Sequence, residues 1–191
     1  MKALENKILK EGKVYDGGIL KVGSFLNQQI DSDFMMEMGA EIARLFENEN
    51  ITKVLTVEAS GIAVALAAGA NLHVPVVFAK KHNTSNIQSD VYSSVVYSFT
   101  HNTEYNIVVS KDYLSSRDRV LIVDDFLARG KALMGLTDII NQAGAELVGC
   151  AVAIEKGFQR GGDELRAKGV RVEALALIDS MDENEIVFRK Q

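Results

Sequence analysis

Val120-Leu121-Ile122-Val123-Asp124-Asp125-Phe126-Leu127-Ala128-Arg129-Gly130-Lys131-Ala132 is the stretch that decides the fold. Val120 to Val123 has no polar face, as a strand covered on both sides of a parallel sheet requires, and Leu133, Leu136, Ile139 and Ile140 follow at helical spacing. The run is therefore a strand, a turn of small residues and a helix. In open α/β sheets ligands gather at the carboxyl ends of the strands, which puts Asp124 and Asp125 where a ligand would be met. The turn from Ala128 to Ala132 presents backbone N–H groups at a helix N-terminus, a geometry that suits a phosphate monoester. Carboxylates beside it can accept hydrogen bonds from the vicinal hydroxyls of a ribose, or face a positive charge developing on the sugar ring. The pattern predicts a sugar-phosphate site. An acid pair after a strand is also an ordinary solvated strand end, but the turn and helix that follow argue against that reading. A receiver domain would open on such a strand, and a Rossmann unit would need Gly-x-Gly-x-x-Gly after an early strand, which is absent.

Strands and helices alternate on either side of this unit. Asp31 can cap a helix whose Phe34, Met35, Met38, Ile42, Leu45 and Phe46 form a stripe at 3.6-residue spacing. Ile51 to Val57 reads as a strand, Ile62 to Ala70 as a short Ala-rich helix, and Val74 to Phe78 as a strand with the only proline, Pro75, at its start. From Lys80 to Ser116 the composition shifts to Ser, Thr, Asn and Tyr, with alternating apolar residues around Val91 to Phe99 and Ile107 to Val109. That is a β-hairpin excursion, of the kind that often serves as a lid. After the helix from Lys131 to Gln142 and its Gly144 stop come a strand at Leu147 to Ile154, a short helix around Asp163 to Lys168, and a strand at Val170 to Ile178. Such alternation implies a mainly parallel sheet flanked by helices. Leu20 to Gln29 and the tail from Ile178 are candidates for a cap over the site.

The 191 residues, 47% hydrophobic and 25% charged, suffice for one domain with one substantial core. A formal net charge of −5 with no basic block disfavours nucleic acid as a partner. No apolar run is long enough for a membrane span, and Met1 to Glu11 lacks the apolar centre of a secretory signal. Cys150, the single cysteine, sits in an apolar strand and reads as a small buried hydrophobe. His73, His82 and His101 lack partners at metal-ligand spacing, so no structural zinc is expected.

Three further strand ends carry chemistry. Glu58-Ala59-Ser60-Gly61 frees small-residue backbone for an anion, Lys80-Lys81-His82 offers positive charge, and Glu155-Lys156-Gly157-Phe158 offers an ammonium and an aromatic ring to a flat heterocycle. Each has a plain structural reading alone; four converging on one rim of a sheet point to a site.

Val-Leu-Ile-Val-Asp-Asp followed by Phe-Leu-Ala-x-Gly-x-Ala resembles the phosphoribosyl-diphosphate signature of the type I phosphoribosyltransferases, and within them the bacterial branch that uses xanthine. The similarity spans nearly the whole chain. It includes Leu20-Lys21-Val22, Ser24 to Asn27, Val74 to Ala79 running into Lys81-His82, Tyr97 to Thr100, and Ile154-Glu155-Lys156. The resemblance implies a type I phosphoribosyltransferase fold as one domain over 1–191, with a core at 32–178, a hood from 1–31 and 179–191, and a flexible hairpin lid. It implies transfer of the phosphoribosyl group to N9 of xanthine, Mg²⁺ brought by the diphosphate with no metal ligand from the protein, a homodimer and a cytoplasmic location. By position, Asp124 and Asp125 would hold the ribose hydroxyls and stabilise an oxocarbenium-like transition state. Ala128, Arg129, Gly130, Lys131 and Ala132 would cradle the 5′-phosphate. Glu58, Ala59, Ser60 and Gly61 would form the diphosphate loop, which in this family often holds a non-proline cis peptide, and Lys81 would reach the same group. Leu20, Asn27 and Lys156 would contact the purine, with Phe158 beside them. The chain departs from the wider family in its phosphate turn, where Ala128 and Ala132 replace hydroxyl residues and Arg129 and Lys131 add charge. Backbone donors then do most of the binding. Use of guanine or hypoxanthine is the nearer alternative. A purine-sensing regulator is the farther one, and the residues before the first core helix show no DNA-binding pattern.

Overall fold

The computed structural model describes residues 1–82, 90–98 and 103–190. In chain order its elements are α1 (Lys2–Glu11), β1 (Lys13–Tyr15), β2 (Ile19–Lys21), α2 (Ser32–Leu45), β3 (Lys53–Val57), α3 (Gly61–Leu72), β4 (Val76–His82), β5 (Val91–Ser98), β6 (Thr103–Ser110), β7 (Arg119–Leu127), α4 (Lys131–Gln142), β8 (Glu146–Lys156), α5 (Gly161–Ala167), β9 (Val172–Met181) and β10 (Ile186–Phe188). A π-helical turn at Gly23–Asn27 follows β2.

The most apolar strands occupy the middle of one sheet, ordered β10-β9-β8-β7-β3-β4-β6-β5. The five from β9 to β4 pair in parallel; β10, β6 and β5 are antiparallel additions at the two edges. Parallel strands are covered on both faces, and β7 shows how. Leu121 and Val123 join the core under α1, α2 and α3, whereas Val120 and Ile122 join the core under α4 and α5. The stripe on α2 is buried as its spacing requires, with Met38, Ile42 and Phe46 at most 1% exposed, and the Asp31 carboxylate caps the helix by accepting from Phe34 N at 3.2 Å. Cys150 is fully buried, and burial together with Asp124 pushes its thiol up to about 12, so it is a packing residue.

The hairpin expected after Lys80 is present as β5 and β6, and it extends the main sheet, since β6 pairs with β4 and β5 pairs with β6. The cause is its alternation, which supplies Val96, Ile107 and Val109 to the core beneath α4. Of the stretch from Lys80 to Ser116 expected to act as a lid, 83–89 and 99–102 lie outside the described residues. The strand expected to begin at Val74 begins after Pro75, whose carbonyl accepts from Val54 N while the ring nitrogen has no hydrogen to give.

Candidate active site

A crevice opens beside β7 because its two neighbours part from it at different points. Pairing with β3 stops at Leu55 opposite Ile122, whereas pairing with β8 runs on to Leu127 opposite Glu155. Past Ile122 the ladder between β7 and β3 ends, and β3 turns away through Glu58, Ala59 and Ser60 into α3. Asp124 and Asp125 therefore lie within the strand, not after it, because Phe126 and Leu127 continue the ladder with β8.

The carboxylates have different surroundings. Asp124 is 5% exposed, and burial, with Asp125 next to it, raises its pKa well above the ordinary carboxylate value. The Lys81 ammonium opposes that rise. Asp124 Oδ1 accepts from the backbone N of Asp125 at 2.9 Å, and Asp125 Oδ2 accepts from Asn27 Nδ2 at 3.2 Å. Asp125 is thus tied to the π-turn after β2, across 98 positions of sequence.

The Glu58 turn is held by the neighbouring strand. Glu58 N donates to Ala79 O at 3.0 Å, and Glu58 Oε1 accepts from Lys81 N at 2.6 Å. The Glu58–Ala59 peptide is cis. At Gly61 a Cβ would fall 2.3 Å from Thr56 Oγ1 and 2.5 Å from Asp124 Oδ1, so only glycine lets α3 start this close to β7. Thr56 Oγ1 is buried and is an unpartnered side-chain oxygen among the described residues.

On the other side, Gly130 takes φ 72° and hands the chain to α4, whose first backbone N–H groups face outward from the turn. A cavity of about 260 Å³ is lined by Ala128 to Leu133 together with Tyr97, Tyr105, Phe126 and Gln159. Arg129 and Lys131 are exposed, while Ala128 and Ala132 are partly covered. Lys81 lies 5.4 Å from the centre of the Tyr105 ring, and burial followed by the Asp124 charge raises the Tyr105 pKa. Lys156, at the end of β8, donates to Gly18 O at 2.9 Å and sits 5.3 Å over the Phe126 ring; burial pulls its pKa below the ordinary lysine value. Phe158 packs against Gly18, where a Cβ would meet its ring at 3.3 Å. Leu20 is 6% exposed and belongs to the core between β2 and the sheet.

The structure thus gathers around the crevice the Glu58 turn, Lys81, the acid pair, the Ala128 to Ala132 turn, Asn27 and Lys156. Leu20 is packed in the core beside β2. Thr56, Tyr105 and Gln159 are absent from the motif reading, and Tyr97 and Phe126 stand in it without an assigned role. Tyr105 shares a strand face with the core residues Ile107 and Val109, whereas Tyr97 follows the core residue Val96 on β5, but nothing in the sequence shows that the hairpin lies beside the phosphate turn. Among the described residues no group of three or more His, Cys, Asp or Glu side chains could hold a metal, and no helix is long and apolar enough to cross a membrane.

A family model described as "Phosphoribosyl transferase domain" matches residues 27–185. The xanthine phosphoribosyltransferase of Heliobacterium modesticaldum is 57% identical over 98% of this chain and all of that protein. Xanthine phosphoribosyltransferase 1 of Clostridium perfringens is 53% identical over 99% of this chain and all of that protein. Among solved structures, the APRTase of Giardia lamblia complexed with 9-deazaadenine superposes with a TM-score of 0.77 at 19% identity, covering 93% of this chain and 98% of that one, which shows the shared fold. The matched span takes in Asn27, the Glu58 turn, the acid pair, the phosphate turn and Lys156, so the crevice and the comparisons agree: the chain belongs to the phosphoribosyltransferase family.

Proposed function

We propose that the protein transfers the 5-phosphoribosyl group from phosphoribosyl diphosphate to N9 of xanthine, giving xanthosine 5′-monophosphate and diphosphate, a purine-salvage reaction. The observation that carries this reading is the convergence of an acid pair, a phosphate-type turn and a partly buried lysine on one crevice. Relatives named for the xanthine reaction at 53% to 57% identity support the choice of base.

In this reading the turn from Ala128 to Ala132 receives the 5′-phosphate through backbone N–H groups at the start of α4. Asp124 and Asp125 accept from the ribose hydroxyls, and their charge favours the sugar cation that develops as the bond to diphosphate breaks. Ligand cations and hydroxyls oppose the burial that raises the Asp124 pKa in the free protein. Glu58, Ala59, Ser60 and Gly61, with Lys81, meet the departing diphosphate. Lys156 donates to an oxo group of the base, Asn27 contributes its remaining amide positions, and Leu20 contacts the purine beside them.

The residues fit Mg²⁺ carried on the donor, because this ion binds one or two carboxylates and substrate phosphates while keeping several waters. Bound there it would neutralise charge on the leaving diphosphate. Glu58, Asp124 and Asp125 are the carboxylates that flank the place.

The proposal includes a homodimer and a cytoplasmic location. An apolar cavity of about 600 Å³ against β4 and β6, lined by Pro75, Phe78, Val91, Val108 and Tyr113, supports self-association, with Phe78 40% and Tyr113 62% exposed. A single free cysteine, Cys150, is in keeping with a reducing compartment.

The test is diphosphate release from phosphoribosyl diphosphate and Mg²⁺, with and without xanthine. Release that needs xanthine and matches the nucleotide formed is expected; no release with any purine base would overturn the reading.

A further inference from the structure

Glu155 is 1% exposed at the end of β8, yet neither the base pocket nor the acid pair uses it. Both its oxygens accept from Arg166 of α5, at 2.8 and 2.7 Å, and Arg166 Nη2 also donates to Val172 O at 3.1 Å. A buried carboxylate is costly, and an apolar pair of similar volume would fill the space at least as well. The bidentate fork adds direction: it fixes where α5 sits relative to the ends of β8 and β9.

What α5 carries at its start is Gly161 and Gly162. A Cβ at Gly162 would lie 2.0 Å from Glu155 Oε1, so that residue rests on the ion pair. A Cβ at Gly161 would lie 2.4 Å from Ala128 O and 2.5 Å from Gly130 N, so that residue rests on the phosphate turn. Gly161 N also donates to Ala128 O at 3.1 Å. The contacts form one unbroken stack from the carboxylate, through two glycines, to the backbone of the turn.

We propose that the Glu155–Arg166 pair positions the Ala128 to Ala132 turn for the donor's 5′-phosphate, which makes both of them positioning residues for that end of the substrate. The proposal rests on the functional reading above. A shift of α5 passes directly into the turn because no side chain lies between them to absorb it, and misplacement by an ångström is enough to impair an oriented site. Lys156, although next to Glu155, is held by Gly18 O and Phe126 on different contacts, so the base end should be spared.

The experiment uses Glu155→Gln, which keeps the shape of the side chain, and Arg166→Lys, which keeps the charge but loses the fork. In each, KM for phosphoribosyl diphosphate should rise about tenfold while KM for xanthine stays within about twofold. Amide hydrogen exchange at 128–132 should quicken by about tenfold while exchange in β3 is unchanged, a readout that needs no substrate. Wild-type protein without transferase activity would sink the functional reading but leave the exchange comparison to decide the brace. The brace is overturned if exchange at 128–132 matches wild type in both variants, or if both KM values rise together.

Discussion

The Lys156 ammonium donates a 2.9 Å hydrogen bond to the carbonyl of Gly18, joining the end of a central strand to the turn between β1 and β2. Gly17 and Gly18 take φ values of 78° and 74°, which lets the turn present that carbonyl inward, and Phe158 packs on the same glycine. An ammonium has three protons to give, so one can hold the turn while another meets an oxo group of a base. The end of β8 and the turn between β1 and β2 are thus tied together by this bond.

Lys156→Ala should lower kcat/KM for xanthine by about 10- to 100-fold, the loss expected of one hydrogen bond from a charged donor, about 1.5 to 3 kcal/mol. Donor affinity should change little. Steady-state kinetics with each substrate varied in turn checks this; equal losses for both substrates would mean that the lysine only anchors the turn.

Asp124→Asn should reduce kcat by about 10²-fold, about 3 kcal/mol, because the amide cannot offer the charge that a developing sugar cation requires. Its effect on stability should run the other way. Burial raises the folded-state pKa of Asp124, so the folded protein holds this proton more tightly than the unfolded chain does. Stability is then fully present below the ordinary value of 3.8 and declines as pH rises through the folded value. Urea unfolding at pH 5 and pH 8 should show the variant gaining on wild type at the higher pH; a variant losing ground there would mean that the ionised carboxylate stabilises the fold.

Gly130→Val should weaken phosphoribosyl diphosphate binding more than xanthine binding. The position has φ 72°, which a branched residue resists, and Gly161 O would lie 3.3 Å from the new Cβ. Calorimetric titration of the folded variant with each ligand decides the point, since an unchanged donor Kd would place the 5′-phosphate elsewhere.

Much of this fold is legible in the chain because its central strands are apolar without alternation and its helices carry clear stripes. The run from Val120 to Val123 and the stripe from Phe34 to Phe46 each lie in the core that their spacing predicts. The hairpin is legible as strands but not as part of the main sheet, because the β4–β6 pairing depends on partners that alternation alone does not name. At the crevice, Asp124, Asp125 and the glycine turn stand out because strand, acid pair and turn are contiguous. Thr56, Tyr97 and Tyr105 reach it through pairings between distant segments, and the Glu155–Arg166 pair looks on paper like two ordinary surface charges. The burial of Glu155 and the contacts of the pair come only from the packing of α5 against the ends of β8 and β9.

The base preference is the central claim, and one measurement tests it most directly: initial rates of nucleotide formation from phosphoribosyl diphosphate and Mg²⁺ with xanthine, guanine, hypoxanthine and adenine, side by side on one preparation. An ammonium donates and cannot accept, so Lys156 suits the oxo-purines and has nothing to offer the exocyclic amine of adenine. Xanthine should give the highest kcat/KM, guanine and hypoxanthine lower values, and adenine no product; a preparation that turns over adenine as well as xanthine would contradict the account.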